Sequence, residues 1–431
     1  MNWIFLGIIL SAFLAAAGGE FTHVSTEGVP SPMEALSAGV FSSATGAVEL
    51  ALGLVGAMTL FLGLLKVAEA GGLLVVIARV LRPLMTKLFP EVPPEHPAMG
   101  AMILNISATT LGLGNAATPF GIRAMQELDR LNPRPGTATN AMALFLAINT
   151  SGITLLPTTV IAMRAAAGSV DPAAIMPTTL FATVCGTIAA ILAALYFQRM
   201  FPLGPADATA APLERPWVNA AASEPLPSDA GAYPAWVSLL TLLGIIALIP
   251  AMILWGGSIS PWIIPGLMVG FLLFGALRGV QIYDVFVEGA KDGFQVALRI
   301  IPYLVAILVA VGMFRASGAM DVMVGALGSF TNALGLPAEA LPMALLRPLS
   351  GSGAYGIMAS VINDPAIGPD SYLGLLVSTL QGSSETTFYV LAVYFGAVQI
   401  KRMRHTLVAA LLADLVAVIA SVAICSYLFA P

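Results

Sequence analysis

The segment Leu380-Gln-Gly-Ser-Ser-Glu-Thr-Thr-Phe388 places an amide, a carboxylate and four hydroxyl groups between two apolar runs, Tyr372–Leu380 and Thr387–Ala397. Each run is too short to span a bilayer, which takes about 20 apolar residues in a helix. A carboxylate at membrane depth is costly unless it meets a partner, a cavity or a proton. The segment therefore predicts two short helices that meet at a functional polar site.

The composition predicts a multi-pass membrane protein. Of the 431 residues, 58% are hydrophobic and only 10% are charged, which no soluble protein of this size could keep in solution. The Lys and Arg residues are scattered and the net charge is −5, so we expect no nucleic acid as a partner. The expected partners are membrane lipid and a small polar solute, and the sequence leaves a homo-oligomer open.

Catalytic and metal-binding motifs are missing from the sequence. His23, His96 and His405 are isolated from one another, which excludes an HExxH motif or a histidine triad. Cys185 and Cys425 each lie in an apolar segment and are interpreted as packing residues. We therefore expect no enzyme activity, no cofactor and no metal.

Apolar runs and charged loops outline the first half of the chain. Trp3–Ala17 is interpreted as a first transmembrane helix, with a cleaved signal peptide as the alternative. Further predicted helices are the spans Ala44–Leu65 and Ile175–Phe197 and the amphipathic Gly71–Phe89. Lys66 and the basic residues after it place that end in the cytoplasm by the positive-inside rule.

The second half repeats this layout after a linker at residues 200–232, which is rich in Pro, Ala, Ser and Asp. Two helices joined by Gly256-Gly257-Ser258 should have both ends in the cytoplasm, because Arg215 and Arg278 flank them. The predicted helices of this half are Tyr233–Ile253, Trp262–Leu277, Ala297–Phe314, the amphipathic Val322–Leu336 and Thr406–Leu428.

Two spans are interrupted by Gly and small polar residues. Ala98–Met125 breaks at Gly112–Asn115, and we expect Asn115 to cap the second half-helix. Pro342–Met358 breaks at Arg347-Pro-Leu-Ser-Gly-Ser-Gly353. In hydrocarbon, interrupted backbone survives only where protein encloses it or a cavity meets it. Another polar segment, Asn149-Thr-Ser-Gly152, separates the short runs Ala141–Ile148 and Thr154–Met163.

The order of these features predicts an internal duplication. Gly63-Leu-Leu-Lys66 corresponds to Gly312-Met-Phe-Arg315 at an offset of 249, Pro97 to Pro342 at 245, and Asn149 to Gln381 at 232. The charges place the first repeat and the second in opposite orientations. The predicted domains are a first repeat at residues 1–199, with one extra N-terminal helix, and a second at 233–431, preceded by two helices.

The candidate site combines the polar residues at the breaks of both repeats. Small polar residues often only join helices, but their clustering at these breaks favours a lined cavity. Arg347 is expected either to pair with Glu385 or to meet an anionic group of the solute, while Arg164 is expected near the membrane interface. The candidate residues are Asn105, Ser107, Asn115, Asn149, Thr150, Ser151, Arg347, Ser350, Ser352, Gln381, Ser383, Ser384, Glu385 and Thr386.

Several motifs carry a resemblance to known families. The segments His96-Pro-Ala-Met-Gly-Ala-Met, Leu111-Gly-Leu-Gly-Asn-Ala-Ala-Thr-Pro119 and Ile148-Asn-Thr-Ser resemble the spore maturation protein A family. The segments Arg347-Pro-Leu-Ser-Gly-Ser-Gly353 and Gln381-Gly-Ser-Ser-Glu-Thr-Thr-Phe-Tyr389 resemble the spore maturation protein B family. The resemblance extends to both sides of the linker and implies a natural fusion of the two.

Both families resemble the nucleoside-recognition, or Gate, domain of concentrative nucleoside transporters and ferrous iron transporters. That resemblance implies an all-helical fold of two inverted repeats with discontinuous, re-entrant helices. In the nucleoside transporters a Gln-Thr-Glu at a hairpin contacts the base, whereas Gln381 and Glu385 are separated by two additional residues. The chain lacks the P-loop of a GTPase domain that accompanies the iron transporters.

The sequence predicts a bacterial inner-membrane permease that moves a small polar or anionic solute by alternating access. One alternative is a non-transporting scaffold in spore or envelope maturation, whose polar residues would bond only to one another. A second alternative is a metal-ion channel, which would require rings of carboxylates or thiolates.

Overall fold

A computed structural model of the chain describes residues 2–23, 30–203, 233–320 and 335–429, together with residues 322, 325, 326 and 331. The predicted linker lies outside the described residues from residue 204 onward, as does most of the predicted helix Val322–Leu336. The described residues are almost entirely helical, and their β structure is one isolated bridge between Thr137 and Arg402.

The helices of the first half follow the sequence pattern closely. They are α1 (Asn2–Thr22), α2 (Pro32–Ala70), α3 (Leu73–Leu88), α4 (Pro97–Thr110), α5 (Gly114–Arg130), α6 (Asn140–Thr150), α7 (Thr158–Ala166) and α8 (Met176–Phe197). The predicted interruption in Ala98–Met125 is confirmed, because α4 ends at Thr110 and α5 begins at Gly114.

The second half contains the corresponding elements in the same order. They are α9 (Ala235–Leu277), α10 (Ile282–Ala316), α11 (Leu341–Leu346), α12 (Gly351–Ile362), α13 (Tyr372–Gly382), α14 (Thr387–Ala397) and α15 (Thr406–Phe429). We call α6 and α7 the first hairpin, and α13 and α14 the second hairpin. The first tip is residues 149–152 and the second tip is residues 381–386.

Three of the described helical segments are long and apolar enough to cross a membrane unaided: Pro32–Ala70, Pro172–Phe197 and Thr406–Phe429. Shorter apolar helices accompany them, including Asn140–Thr150 and Gly351–Ile362. Because a helix of about 11 residues rises only about 16 Å, such segments reach partway into the hydrocarbon layer. The chain is a polytopic, all-helical membrane protein.

Equivalent helices of the two repeats pack against each other in opposite directions. Along α2 and α10, Gly39 faces Ala316, and farther along Met58 faces Gly293. One residue number rises while its partner's falls, so the helices are antiparallel. The contact is close, because a Cβ on Gly293 would lie 2.7 Å from the Cα of Thr59. Small residues permit such approach between membrane helices, which have no hydrophobic force to drive them together.

The pair α8 and α15 shows the same antiparallel arrangement. Gly186 lies against Ala417, and the Thr178 hydroxyl is 2.7 Å from the Thr379 hydroxyl, which in turn accepts from the Cys425 thiol. Thr178 therefore lies near the far end of α15. Antiparallel contacts between equivalent helices are what a pseudo-two-fold axis in the membrane plane produces. The two repeats are inverted, as predicted.

Helix α9 folds back on itself. Its backbone leaves helical geometry at Trp255, one residue before the predicted Gly-Gly-Ser connection. Tyr233, just before the helix, donates its N–H to the Arg79 carbonyl, while Phe274, near its end, lies against Gly71. A straight helix of 43 residues would be about 65 Å long. One end contacts the middle of α3 and the other contacts the turn just before α3, so the two arms return to the same side.

Each hairpin lies between two hydrophobic cores. One core contains Phe145 of α6 and Leu391 of α14, whereas the other contains Ile161 of α7 and Leu376 of α13. The arms of each hairpin are thus divided between the cores. This division brings both tips to the boundary between the cores.

Candidate functional site

The two tips touch through their backbones. The Glu385 N–H donates to the Thr150 carbonyl over 2.8 Å. In the second repeat the Phe388 N–H donates to the Pro348 carbonyl, and in the first the Leu155 N–H donates to Thr110. Each hairpin is therefore fastened to the broken segment of its own repeat as well as to the other tip.

The first tip uses its side-chain donors on its own helix. The Asn149 amide donates to the Phe145 carbonyl over 2.9 Å, and the Thr150 and Ser151 hydroxyls both donate to the Ala147 carbonyl over 2.9 Å. All three polar residues are at most 6% exposed. Their donors satisfy the end of α6, where carbonyls lack helical partners.

The second tip differs from the first at Gln381 and Glu385, whose side chains do not bond to their own helix. Gln381 is only 2% exposed, yet neither atom of its amide has a hydrogen-bond partner of good geometry, although the Tyr355 hydroxyl lies close by. The Ser383 hydroxyl donates to Leu380, and Ser384 is buried. The Glu385 side chain is exposed. A buried amide without partners is unusual, since nearly all buried polar groups are paired.

Arg347 holds the second tip by its backbone and a hydroxyl. Its Nε donates to the Gln381 carbonyl and its Nη1 to the Thr386 hydroxyl, each over 3.1 Å. The side chain is 6% exposed, and within the described ranges no carboxylate lies within salt-bridge distance of it. The expected pairing of Arg347 with Glu385 is absent from this arrangement.

Two further candidates, Ser350 and Ser352, lie at the start of α12. The Ser350 hydroxyl accepts from the Gly353 N–H over 3.0 Å and lies 3.4 Å from the Ser352 hydroxyl. Ser350 is thus the N-cap of α12. Gly351 packs beneath the tip, because a Cβ there would lie 2.6 Å from the Thr386 hydroxyl.

Asn105 connects the first break with the second hairpin. Its Nδ2 donates to the Ala117 carbonyl over 2.8 Å and to the Tyr394 hydroxyl over 3.2 Å, while its buried Oδ1 has no partner. Gly121 makes room for this contact, because a Cβ there would lie 2.4 Å from the Tyr394 ring. The Ser107 hydroxyl donates to its own helix at Ile103.

The expected cap at Asn115 is wrong. Helix α5 begins at Gly114, its N-cap is Leu113, and no side chain caps it. The side chain of Asn115 lies outside what the structure describes. The turn instead depends on Gly112, whose φ of +82° favours glycine and whose Cβ would lie 2.3 Å from the Leu156 carbonyl.

Arg164 was expected at the membrane interface but is fully buried, with 0% exposure. Its Nη1 donates to the Pro369 carbonyl over 2.6 Å and its Nη2 to the Asp370 carboxylate over 2.9 Å. Other donors reach Ser169 and the carbonyls of Asp171 and Pro172. This arginine ends the first hairpin and holds the start of the second.

Arg404 makes the corresponding contact in the other direction, from the second repeat to the first. It follows the second hairpin, and its Nη1 donates to the Ala138 carbonyl and the Asn140 side chain, each over 3.0 Å, at the start of the first hairpin. It also donates to the Phe201 carbonyl. Beside it, burial lowers the pKa of His405 to about 4, with the Arg404 charge acting in the same direction.

Sequence reasoning also missed Asp414. This acid lies on α15, is 5% exposed, and accepts a hydrogen bond of 2.6 Å from the Thr387 hydroxyl. The signal was present, because Asp414 is the one charged residue of an apolar span of 24 residues.

In the part of the chain that the structure describes, no three His, Cys, Asp or Glu residues cluster as metal ligands would.

Comparison with known proteins identifies the family. The family model described as Gate, nucleoside recognition, matches residues 51–167 and 297–401. Spore maturation protein B of Bacillus subtilis (strain 168) is 49% identical over 166 residues, which cover 38% of this chain and 92% of that protein. Spore maturation protein A of the same strain is 47% identical over 158 residues, covering 37% and 81%.

No solved structure matches the chain. Each of the two relatives covers a little over a third of this chain, which is consistent with a fusion of the two. The family model matches one region in each repeat, and each region includes one hairpin. The chain belongs to the nucleoside-recognition (Gate) family and resembles a fusion of spore maturation proteins A and B.

Proposed function

We propose that this protein is a permease of the bacterial inner membrane that moves a small polar solute by alternating access. The observation that carries the proposal is the Gln381 amide, which is 2% exposed and, although the Tyr355 hydroxyl lies close by, makes no hydrogen bond of good geometry within the described residues. An unpaired buried amide costs about 1 to 3 kcal/mol. A solute that offers one donor and one acceptor would recover that free energy on binding.

The charges at the tip favour a neutral hydrogen-bonding solute over an anion. Glu385 is the exposed ionisable group of the second tip, while Arg347 is buried and already donates to Gln381 and Thr386. An incoming anion would meet the carboxylate before the guanidinium. The adenine edge pairs with a Gln amide through one donor and one acceptor. The family description, nucleoside recognition, makes nucleosides the first class to test.

The alternating-access part of the proposal is supported by the inverted repeats and by the way the hairpins are held. Arg164 ends the first hairpin and binds the loop before the second, whereas Arg404 follows the second and binds the start of the first. Each repeat thus restrains the other repeat's hairpin. Transporters with inverted repeats alternate by moving one repeat against the other around a site at their interface.

The rival function is a scaffold in spore or envelope maturation, which takes its support from the names of the two relatives. That function predicts tip groups that bond only to each other. The first tip fits this expectation, because its donors all return to α6. The unpaired amide of Gln381 and the exposed Glu385 carboxylate favour the permease.

The test is solute binding and uptake by the full chain in liposomes. Adenosine, other nucleosides and dicarboxylates are screened by thermal shift, and positive solutes are followed as labelled uptake. We expect a nucleoside to raise the melting temperature. Glu385→Gln should weaken nucleoside binding about tenfold, because it removes a charged hydrogen-bond acceptor. Glu95→Gln, a carboxylate exposed in the loop between α3 and α4, is the control. If no solute shifts the melting temperature, the permease proposal fails.

A further inference from the structure

Asp414 is a buried acid that lies outside both tips and has no role in the proposed solute site. It lies eight residues after the start of α15, which places it about 12 Å along a helix that rises 1.5 Å per residue. The hydrocarbon layer is about 30 Å thick, so the carboxyl group lies well inside it. Only 5% of the residue is exposed.

The carboxyl group has one hydrogen bond and one empty oxygen. Oδ2 accepts from the Thr387 hydroxyl over 2.6 Å, whereas the buried Oδ1 has no partner. Within the described part of the chain, Asp414 has no salt bridge. An ionised carboxylate with an unpaired oxygen is costly at this depth, and a bound proton removes the cost.

The neighbouring helices bring no carboxylic acid or cationic base that would share this proton. Helix α15 packs against α6, α8, α13 and α14. Helix α6 carries no titratable side chain, and those on the other three are the thiol and phenol groups of Cys185, Tyr196, Tyr372, Tyr389 and Tyr394. Arg347 is the charged group that acts on Asp414 from beyond these helices.

A metal cation fits the position less well than a proton. Calcium takes six to eight oxygen ligands in proteins, and magnesium takes six in near-octahedral geometry. Here one oxygen, that of Thr387, lies within hydrogen-bond distance of the carboxylate, and the described residues hold no metal-ligand cluster. A proton needs only the carboxylate oxygen itself.

Thr387 connects this acid to the second tip. It directly follows Thr386, whose hydroxyl accepts from Arg347, and Arg347 also holds the Gln381 carbonyl. We propose that Asp414 binds the coupling proton of the transport cycle, and that releasing this proton draws Arg347 away from the second tip. The proton is taken from water on one side of the membrane and returned to water on the other. On uptake the Oδ1–H bond forms as an O–H bond of a hydronium ion breaks, and on release the reverse occurs.

The protonation is tested without any solute, and so independently of the proposed function. Infrared spectra of the full chain in liposomes at neutral pH should show the C=O stretch of a protonated carboxyl group. The band should shift in deuterium oxide and be lost in Asp414→Asn, which retains an acceptor for the Thr387 hydroxyl. Asp370→Asn is the matched control, because Asp370 forms an ion pair with Arg164 over 2.9 Å and the band should persist when it is replaced. A band that persists in Asp414→Asn, or no band in the wild type, overturns the proposal.

The coupling, which rests on the proposed function, is tested with adenosine as the probe. Vesicles containing a pH-sensitive dye should change internal pH when adenosine enters through the wild-type protein. In Asp414→Asn, adenosine exchange should persist while the pH change is lost. Adenosine entry without proton movement in the wild type overturns the coupling. If neither adenosine nor any other screened solute binds, the permease proposal fails, and the infrared experiment still decides whether Asp414 binds a proton.

Discussion

The first and second tips are equivalent by position in the repeats but use their polar groups in opposite ways. Asn149 and its neighbours donate to carbonyls of their own helix, so the first tip is internally satisfied. At the second tip, the Gln381 amide is unpaired and Glu385 is exposed. The inverted repeats therefore share a backbone arrangement but not a chemical role. We infer that the second tip recognises the solute and that the first tip only lines the site.

The largest expected effect is the difference in stability lost when each of the two arginines that hold the hairpins is replaced. Arg164→Met should destabilise the protein by about 3 kcal/mol, because it leaves the Asp370 carboxylate and several carbonyls without their cation. Arg404→Met should cost about 1.5 kcal/mol, because its partners are neutral carbonyls and an amide. Denaturation of both variants in detergent measures the difference. Equal losses would show that the ion pair adds nothing to the first contact.

The next effect compares the glycine at the first broken segment with a glycine in the turn after α10. Gly112→Ala should cost about 2 to 3 kcal/mol, because it combines a left-handed backbone with a clash against the Leu156 carbonyl. Gly318→Ala is the matched control, since Gly318 has a φ of +73° but open space around its Cβ position. That control should cost about 1 kcal/mol from the backbone alone. Melting temperatures of the two variants check the order, which would be reversed if packing at the first break were loose.

Replacing the amide of each tip with Ala tests the roles of the two tips separately. Gln381→Ala should weaken adenosine binding about tenfold while leaving stability almost unchanged, because its amide makes no hydrogen bond of good geometry within the described residues. Asn149→Ala should do the opposite, costing about 1 kcal/mol of stability while keeping the adenosine-induced shift, because its amide donates to Phe145. Isothermal titration and thermal melts supply both quantities. A loss of binding in Asn149→Ala alone would make the first tip the recognition surface.

The smallest expected effect is the pH dependence of stability that comes from His405, the residue after Arg404. His405 has a folded pKa of about 4, below its ordinary value of 6.5. Between these values the unfolded chain binds more protons than the folded one, so stability should rise with pH across this window and be complete above 6.5. His405→Gln should flatten that part of the melting curve against pH. The same slope in both proteins would place the pH dependence on another group.

Much of this fold could be predicted from the sequence because its signals are local. Apolar runs too short to span, separated by polar residues, predicted both hairpins, and the offsets between matching segments predicted the inverted duplication. The turn of α9 was placed within one residue, at Trp255. Each of these features depends on composition along the chain rather than on contacts between distant segments.

The chemistry of the site could be predicted only in part. The sequence shows that Asn149 and Gln381 are amides, but whether an amide donates to its own helix depends on side-chain orientation. The burial of Arg164 could not be predicted, because the carboxylate that receives it belongs to the other repeat. Asp414 needed only the rule that a lone acid in an apolar span is functional.

The contact between Arg164 and Asp370 also constrains how the protein is made. The acid is translated 206 residues after the arginine. While the first repeat enters the membrane, Asp370 has not yet been made, and Arg keeps its charge. The contact with Asp370 can therefore form only after the second repeat inserts. Synthesis of both halves as a single chain ensures that every first repeat is followed by the partner that completes it.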